Sequence, residues 1–265
     1  MCDEITLASV TALRDLRKSG TLPEEKDNSW KRCIKGSPRG FFDVELIALN
    51  RSYLDALRYL RMITPYAYSM FNDGMDIQSL EISHWAPARC HRLFGQNFEL
   101  KHAFVAKKMK NSLCRICLNE ENSLIFDESL MDEDNDIAFD FWASYAMHQA
   151  VTGGALIEML DDEHVEALFC ALCQLHPETS LAQTIKKQLF KALPRADRKL
   201  FKDGVPFLSP NWYEFRQALQ TRAACVGAII SASPAYALHA HPHDPELESF
   251  LISESYVRFV QMYWS

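Results

Sequence analysis

Apolar residues recur along much of the chain at intervals of three and four, the spacing of one face of an α-helix. The clearest early run is Val44, Ile47, Leu54, Leu57 and Leu60. Few segments alternate apolar and polar residues as a half-buried strand does. Helices are predicted over residues 1–18, 42–62, 65–71, 87–94, 137–160, 164–175, 180–193, 195–202, 211–230 and 246–263. We therefore expect an all-α, mainly helical fold.

The pattern over residues 180–193 defines one helix especially well. Its apolar positions, spaced by four, are Leu181, Ile185, Leu189 and Leu193. Thr179 or Ser180 is suited to cap its first turn, because both side chains accept a hydrogen bond from a free backbone N–H. Pro194 is expected to end or kink the helix, leaving residues 195–202 as a short continuation.

An acidic run over residues 127–136 is the best candidate for a linker between two halves of similar size. The sequence thus predicts a helix and mobile arm over residues 1–40, helical domains over 41–126 and 137–265, and the linker between these domains. Pro and Gly residues among many charges favour the mobile arm.

Charge adds a feature that the apolar pattern does not show. The chain has 28 basic and 35 acidic residues, a net charge of -7. Against that balance, the segment from 180 to 204 is basic. Its cations are Lys186, Lys187, Lys191, Arg195, Arg198, Lys199 and Lys202. A local cationic strip on an acidic protein suits a polyanion such as DNA, although a solvated helix face has the same composition.

The order of these cations favours a DNA contact. Lys187, Lys191, Arg195, Arg198 and Lys202 follow one another at intervals of four, four, three and four, so they form one stripe if helical geometry persists past Pro194. The stripe, with Lys186 and Lys199, would contact phosphates. Gln183 and Thr184 are the candidates for contacts with base edges. A second basic stretch in the first half would contact phosphates in concert; it consists of Lys101, Lys107, Lys108, Lys110 and Arg115.

Two cysteine pairs and a histidine cluster resemble metal ligands. Cys114 and Cys117 form one CxxC pair, and Cys170 and Cys173 form another. The pairs lie far apart without the turn residues of a zinc knuckle, and Cys in an apolar helix usually behaves as a small hydrophobe. His239, His241 and His243 lack a second ligand cluster. We predict no metal and no cofactor.

The catalytic case is weak. Asp161, Asp162 and Glu166 resemble a metal-binding acidic motif, but acidic residues are also favoured at the start of a helix by its dipole. No GxSxG sequence and no convincing pair of nucleophile and base occurs. We predict a protein without enzymatic activity.

The cysteines and the first residues of the sequence indicate the cellular compartment. No secretory signal is evident in the charged first residues, so the thiols are expected to be reduced and the protein cytoplasmic. The longest apolar stretch, residues 223–238, is interrupted by Ser231, Ser233 and Pro234. We expect no membrane-spanning segment.

The first half contains a series of short motifs: Asn50-Arg-Ser-Tyr-Leu54, Ala67, Met70-Phe71, Gly74, Pro87, Leu93 and Phe98. In this order they resemble FlhD, one subunit of the bacterial flagellar master transcriptional activator. The resemblance covers about residues 42–105 and requires a one-residue insertion before Ala67.

The second half contains a further series of motifs: Ala146-Met147, Thr152, Gly154-Ala155, Met159-Leu160, Phe190-Lys191-Ala-Leu193, Gly204, Pro206-Phe207, Trp212 and Val257-Arg258-Phe259-Val260. Over about residues 138–263 they resemble FlhC, the other subunit. FlhC-like proteins carry a four-cysteine zinc site after their last helix, and this sequence shows none there. The resemblance implies a fused FlhD-like and FlhC-like activator that binds promoter DNA as an oligomer.

Three functional hypotheses follow from the sequence. The leading one is a DNA-binding transcriptional regulator. The second is a helical adaptor, or an accessory subunit of a bacterial secretion or regulatory assembly, whose cationic strip docks an acidic protein. The third is a helical enzyme, which would require Asp161, Asp162 and Glu166 to line a deep acidic pocket.

Overall fold

Most of the described part of the chain is helical, which confirms the predicted fold class. The computed structural model describes residues 59–60, 62–64, 66–67, 77–80, 86–94, 99–107, 109, 112–117, 123–131, 135–172, 179–203 and 211–264. Helices in this part are α1 (Ala86–Phe94), α2 (Asp136–Thr152), α3 (Ala155–Met159), α4 (Asp162–Leu172), α5 (Ser180–Ala192), α6 (Arg195–Asp203), α7 (Trp212–Ser231), α8 (Pro234–Ala240), α9 (Pro245–Leu251) and α10 (Glu254–Trp264).

A four-stranded sheet, which the sequence pattern did not predict, lies in the half of the chain where a helical domain was expected. Its strands are β1 (Ile77–Leu80), β2 (His102–Ala106), β3 (Cys114–Ile116) and β4 (Ser123–Asp127), in the spatial order β1-β2-β4-β3. β2 pairs with β4 in parallel, and the other two pairings are antiparallel. All five residues of β4 are buried, so this strand carries no alternation that the sequence pattern could reveal.

The predicted acidic linker begins inside this sheet. Asp127 is the last residue of β4, and its carboxylate accepts hydrogen bonds from the backbone N–H groups of Met109 (2.7 Å) and Ser129 (3.0 Å). Leu130 follows in a 3₁₀ turn and is fully buried. Helix α2 then begins at Asp136. Asp127 and Leu130 of this segment are therefore packed against the fold, whereas Glu128, Ser129 and Asp136 are exposed. One core includes residues from both sides of the segment.

The larger core is centred on the contact between α2 and α7. Both helices bury residues around most of their circumference, as helices in the middle of a protein do. Phe141 of α2 lies among aromatic neighbours, with ring centroids 5.1 Å from Trp142 and 5.3 Å from Tyr236. Helices α1, α8, α9 and α10 and the sheet pack around this pair.

A second core holds the basic segment in place. It joins α3, α4 and α5 to the first turns of α7 and to the helical residues between 59 and 67. Phe215 and Leu219 of α7 belong to this second core, and Ala223 and Val226 of the same helix belong to the larger one. Helix α7 therefore connects the two cores.

Several predictions cannot be compared with the structure. The predicted arm over residues 1–40 and most of the predicted helix over 42–62 lie outside the described residues. Where the chain is described, no helix combines the length and the apolar character needed to cross a bilayer.

Candidate nucleic-acid interface

Helix α5 presents the central part of the basic segment. Thr179 caps it, because its side-chain oxygen accepts a hydrogen bond from the backbone N–H of Ala182 at 3.2 Å. Ile185, Leu189 and Leu193 are buried against the neighbouring helices, as predicted, and Leu181 is half-buried. Cap and apolar face together fix which side of α5 points outwards.

The outward side of α5 is polar and cationic. Gln183, Thr184, Lys187, Gln188 and Lys191 are exposed, and their spacing places them on one helix face. The Thr184 hydroxyl donates to the carbonyl oxygen of Ser180 at 2.8 Å, so its proton is already engaged.

The lysines of this helix are available to an external anion. Lys186 is half-buried beside the exposed Lys187 and Lys191. Within the part of the chain that the structure describes, none of the three forms an ion pair. Their charge is therefore not neutralised by the described part of the protein.

The helix does not continue past Pro194, so the condition for a single cationic stripe is not met. Leu193 ends α5 in an extended conformation (ψ 141°), and α6 begins at Arg195. The backbone N–H of Arg198 donates to the carbonyl oxygen of Pro194 at 3.0 Å, which starts the new helix. Because the helical register is broken at Leu193, the spacing of Arg195 and Arg198 from Lys191 no longer places them on the exposed face of α5. Arg195 and Lys199 are exposed on α6, and the Lys202 side chain lies outside the described residues.

Arg198 folds back onto the end of α5. Its Nε donates to the carbonyl oxygen of Leu193 at 2.8 Å, and its Nη2 donates to that of Lys191 at 3.1 Å. The guanidinium also lies over the ring of Phe190, 5.5 Å from its centroid. A side chain predicted to contact phosphate is therefore engaged within the protein.

The second basic stretch is described only in part. Lys107 is exposed directly after β2. Lys108 and Lys110 lie outside the described residues. Arg115 of the same stretch is buried in β3. Within the described residues, the candidate interface is therefore limited mainly to α5 and α6.

The acidic pocket required by the enzyme hypothesis does not form. The side chains of Asp161 and Asp162 are 67% and 71% exposed, and Glu166 is also exposed. Asp161 contacts His164 Nδ1 at 2.7 Å, and Asp162 accepts from Arg216 Nη1 at 2.6 Å. These acids lie on an open surface at the start of α4, where the helix dipole favours them.

The described cysteines of the two CxxC pairs do not form a zinc site. Cys114 and Cys117 are buried and Cys170 is half-buried, whereas Cys173 lies outside the described residues. Burial raises the pKa of the Cys114 thiol, which disfavours the thiolate that binds metal. Among the described residues, no cluster of His, Cys, Asp and Glu side chains has the geometry to hold a metal ion.

Sequence reasoning missed a buried polar network between α2, α3 and α7. The Glu158 carboxylate accepts from the Tyr145 hydroxyl and from Gln220 Nε2, each at 3.2 Å. Burial raises the pKa of Glu158. Arg216 donates to the carbonyl oxygen of Leu160 at 2.9 Å as well as to Asp162. A single Glu between apolar neighbours in α3 was the available signal. The network ties α3 and the start of α4 to α7, which supports the surface that carries α5.

Comparisons with protein-family models, with curated proteins and with solved structures gave no match to this chain.

Proposed function

We propose that this chain is a DNA-binding transcriptional regulator whose α5 and α6 dock on duplex DNA. The observation that carries the proposal is the outward face of α5, on which Lys187 and Lys191 are exposed and unpaired within the described residues. The resemblance of short motifs to FlhD and FlhC supports this proposal and adds that the protein is an oligomer. From its cysteines we propose that it is cytoplasmic.

The shape of α5 suits a helix that lies in the major groove. Its apolar side is held by the second core, so the polar side can enter a groove without unfolding the protein. In many DNA-binding proteins, residues near the start of such a helix contact base edges. Gln183 and Thr184 occupy that place, and the Thr184 oxygen retains acceptor capacity after donating to Ser180. Lys187 and Lys191, one and two turns further, would contact phosphates.

Charge reversal at Lys187 and Lys191 is expected to abolish binding to duplex DNA, because two attractive phosphate contacts become repulsive. Fluorescence anisotropy with a labelled mixed-sequence duplex at low salt measures this directly. The Lys187→Gln, Lys191→Gln double variant should bind weakly, and its salt dependence should be shallower. The slope of log K against log salt is negative, and each lost phosphate contact reduces its magnitude by about 0.9.

The matched control is Arg258→Glu on α10, which is exposed and changes the net charge as much as Lys187→Glu does. Lys187→Glu should weaken DNA binding about tenfold, and Arg258→Glu should leave it near the wild-type value. Equal effects of the two substitutions would show that only net charge matters. Unchanged affinity after the double reversal would disprove the assignment of this surface.

A second candidate function is favoured by the overall charge of -7, which opposes DNA binding outside the basic segment. On this hypothesis the chain is a helical adaptor or accessory subunit, and the same lysines dock an acidic protein. A wild-type chain that binds no DNA at low salt would favour the adaptor.

A further inference from the structure

We propose that Arg198 is a positioning residue: it locks α6 against the end of α5, so that the cations of both helices form one DNA-binding surface. The consequence for DNA rests on the proposed function. The lock itself rests on the geometry of Arg198 alone.

The first part of the lock is a cap on α5. The last carbonyl groups of a helix lack partners inside the helix and need them from elsewhere. Arg198 supplies two donors, Nε to Leu193 and Nη2 to Lys191. Bonds from a charged donor are stronger than neutral ones, and a cation is favoured at this end of the helix dipole.

The second part of the lock is the ring of Phe190. A guanidinium placed 5.5 Å from a ring centroid is attracted to the face of the ring. Arg198 is therefore held by two carbonyl oxygens and one aromatic face, all contributed by the last residues of α5 and its cap. Lysine has the same charge but neither the planar fork nor the flat face, so it cannot reproduce the three contacts.

These contacts connect the two halves of the candidate interface. Lys191, whose carbonyl oxygen is held, also projects its side chain from the exposed face of α5. Arg195 and Lys199 flank Arg198 in α6 and are exposed. When the lock is present, all three external cations have fixed relative positions. Without it, the extended Leu193 and Pro194 allow α6 to reorient.

The test compares Arg198→Lys with Arg198→Gln, using Arg195→Lys as the matched control. Hydrogen–deuterium exchange on the free protein should show faster exchange of the α6 amides in both Arg198 variants, since local opening becomes easier. Arg195→Lys should exchange like wild type. This measurement involves no DNA, and wild-type exchange in Arg198→Lys would overturn the lock.

Duplex binding then separates positioning from direct contact. If Arg198 positions α6, Arg198→Lys and Arg198→Gln should weaken binding to the mixed-sequence duplex to the same extent, about tenfold. Both variants should also show a shallower dependence of log K on log salt, even though the lysine variant keeps the charge. If Arg198 contacts phosphate itself, Arg198→Lys should retain wild-type affinity and slope, and the proposal would be wrong. A wild-type chain that binds no DNA would overturn the proposed function, and the exchange measurement would still decide whether Arg198 locks α6.

Discussion

Replacing Gly227 by valine is expected to lower the free energy of unfolding by about 2 to 4 kcal/mol, the range of a severely overpacked core. Gly227 lies in α7 where this helix meets α2. A Cβ atom at this position would lie 2.7 Å from Cδ2 and 2.8 Å from Cε2 of the Phe141 ring. Urea unfolding followed by circular dichroism measures the loss.

The Phe141 ring has little room to move aside. It is fully buried, and the rings of Trp142, Tyr145 and Tyr236 surround it. The new Cβ would also lie 3.0 Å from the backbone oxygen of Phe141, which a change of rotamer cannot relieve. Gly227→Ala meets the same contacts but gains about 1 kcal/mol of helix propensity. Its net loss should therefore be smaller than that of the valine variant.

Two further variants distinguish this contact from a general cost of valine in a helix. Gln217→Val places the same β-branched residue at an exposed position of α7 and should cost less than about 1 kcal/mol. Phe141→Leu removes part of the ring that Gly227→Val meets. The double variant should therefore be more stable than the sum of the two single effects predicts. Strict additivity would contradict the close contact between these residues.

Caps and prolines in the sequence correctly predicted where particular helices begin and end. Thr179 caps α5, and Pro194 separates α5 from α6, because a cap and a missing N–H act within a few residues. The strands, unlike these helix ends, could not be predicted from neighbouring residues. β4 is five residues long, buried throughout, and pairs with β2, whose residues lie about twenty positions earlier in the chain. Such pairing depends on distant partners, and a short apolar run does not distinguish a strand from a buried helix.

The candidate site also has one part that local signals predict and one part that depends on distant contacts. The exposed face of α5 follows from its own periodicity, so Lys187 and Lys191 could be placed outside from the sequence. The role of Arg198 could not, because it depends on the chain turning at Leu193 so that a side chain of α6 reaches carbonyl groups of α5. Spacing alone counted Arg198 as one more cation of a stripe. The folded chain uses it to join two helices.

Acidification from pH 6.5 towards pH 3 is expected to destabilise the protein strongly through His148. This residue of α2 is buried, and burial together with the nearby Arg222 lowers its pKa from 6.5 to about 3. His241, stacked on Tyr145, is half-buried, and its partial loss of solvation lowers its pKa to about 4. A buried histidine that stays neutral in the folded protein opposes folding once the unfolded chain binds a proton.

The direction in which stability changes with pH follows from the folded and unfolded pKa values of His148. Below pH 6.5 the unfolded chain gains a proton at position 148 that the folded protein excludes until about pH 3, so stability falls as the pH falls. Because each pH unit between the two pKa values is worth about 1.4 kcal/mol, the loss from His148 approaches roughly 4 to 5 kcal/mol by pH 3. Glu158 acts in the opposite direction. Burial raises its pKa, so lowering the pH through that raised value towards 4.5 adds stability.

A comparison of variants isolates the contribution of His148. Urea unfolding of wild type and His148→Gln, each from pH 7 to pH 4, gives two curves of stability against pH. His148→Gln should lose less stability than wild type on acidification, whatever its stability at pH 7, because glutamine does not titrate. His239→Gln, at an exposed position of α8, should follow the wild-type curve. Parallel curves for wild type and His148→Gln would show that the imidazole is solvated in the folded protein, which would contradict its burial between α2 and α7.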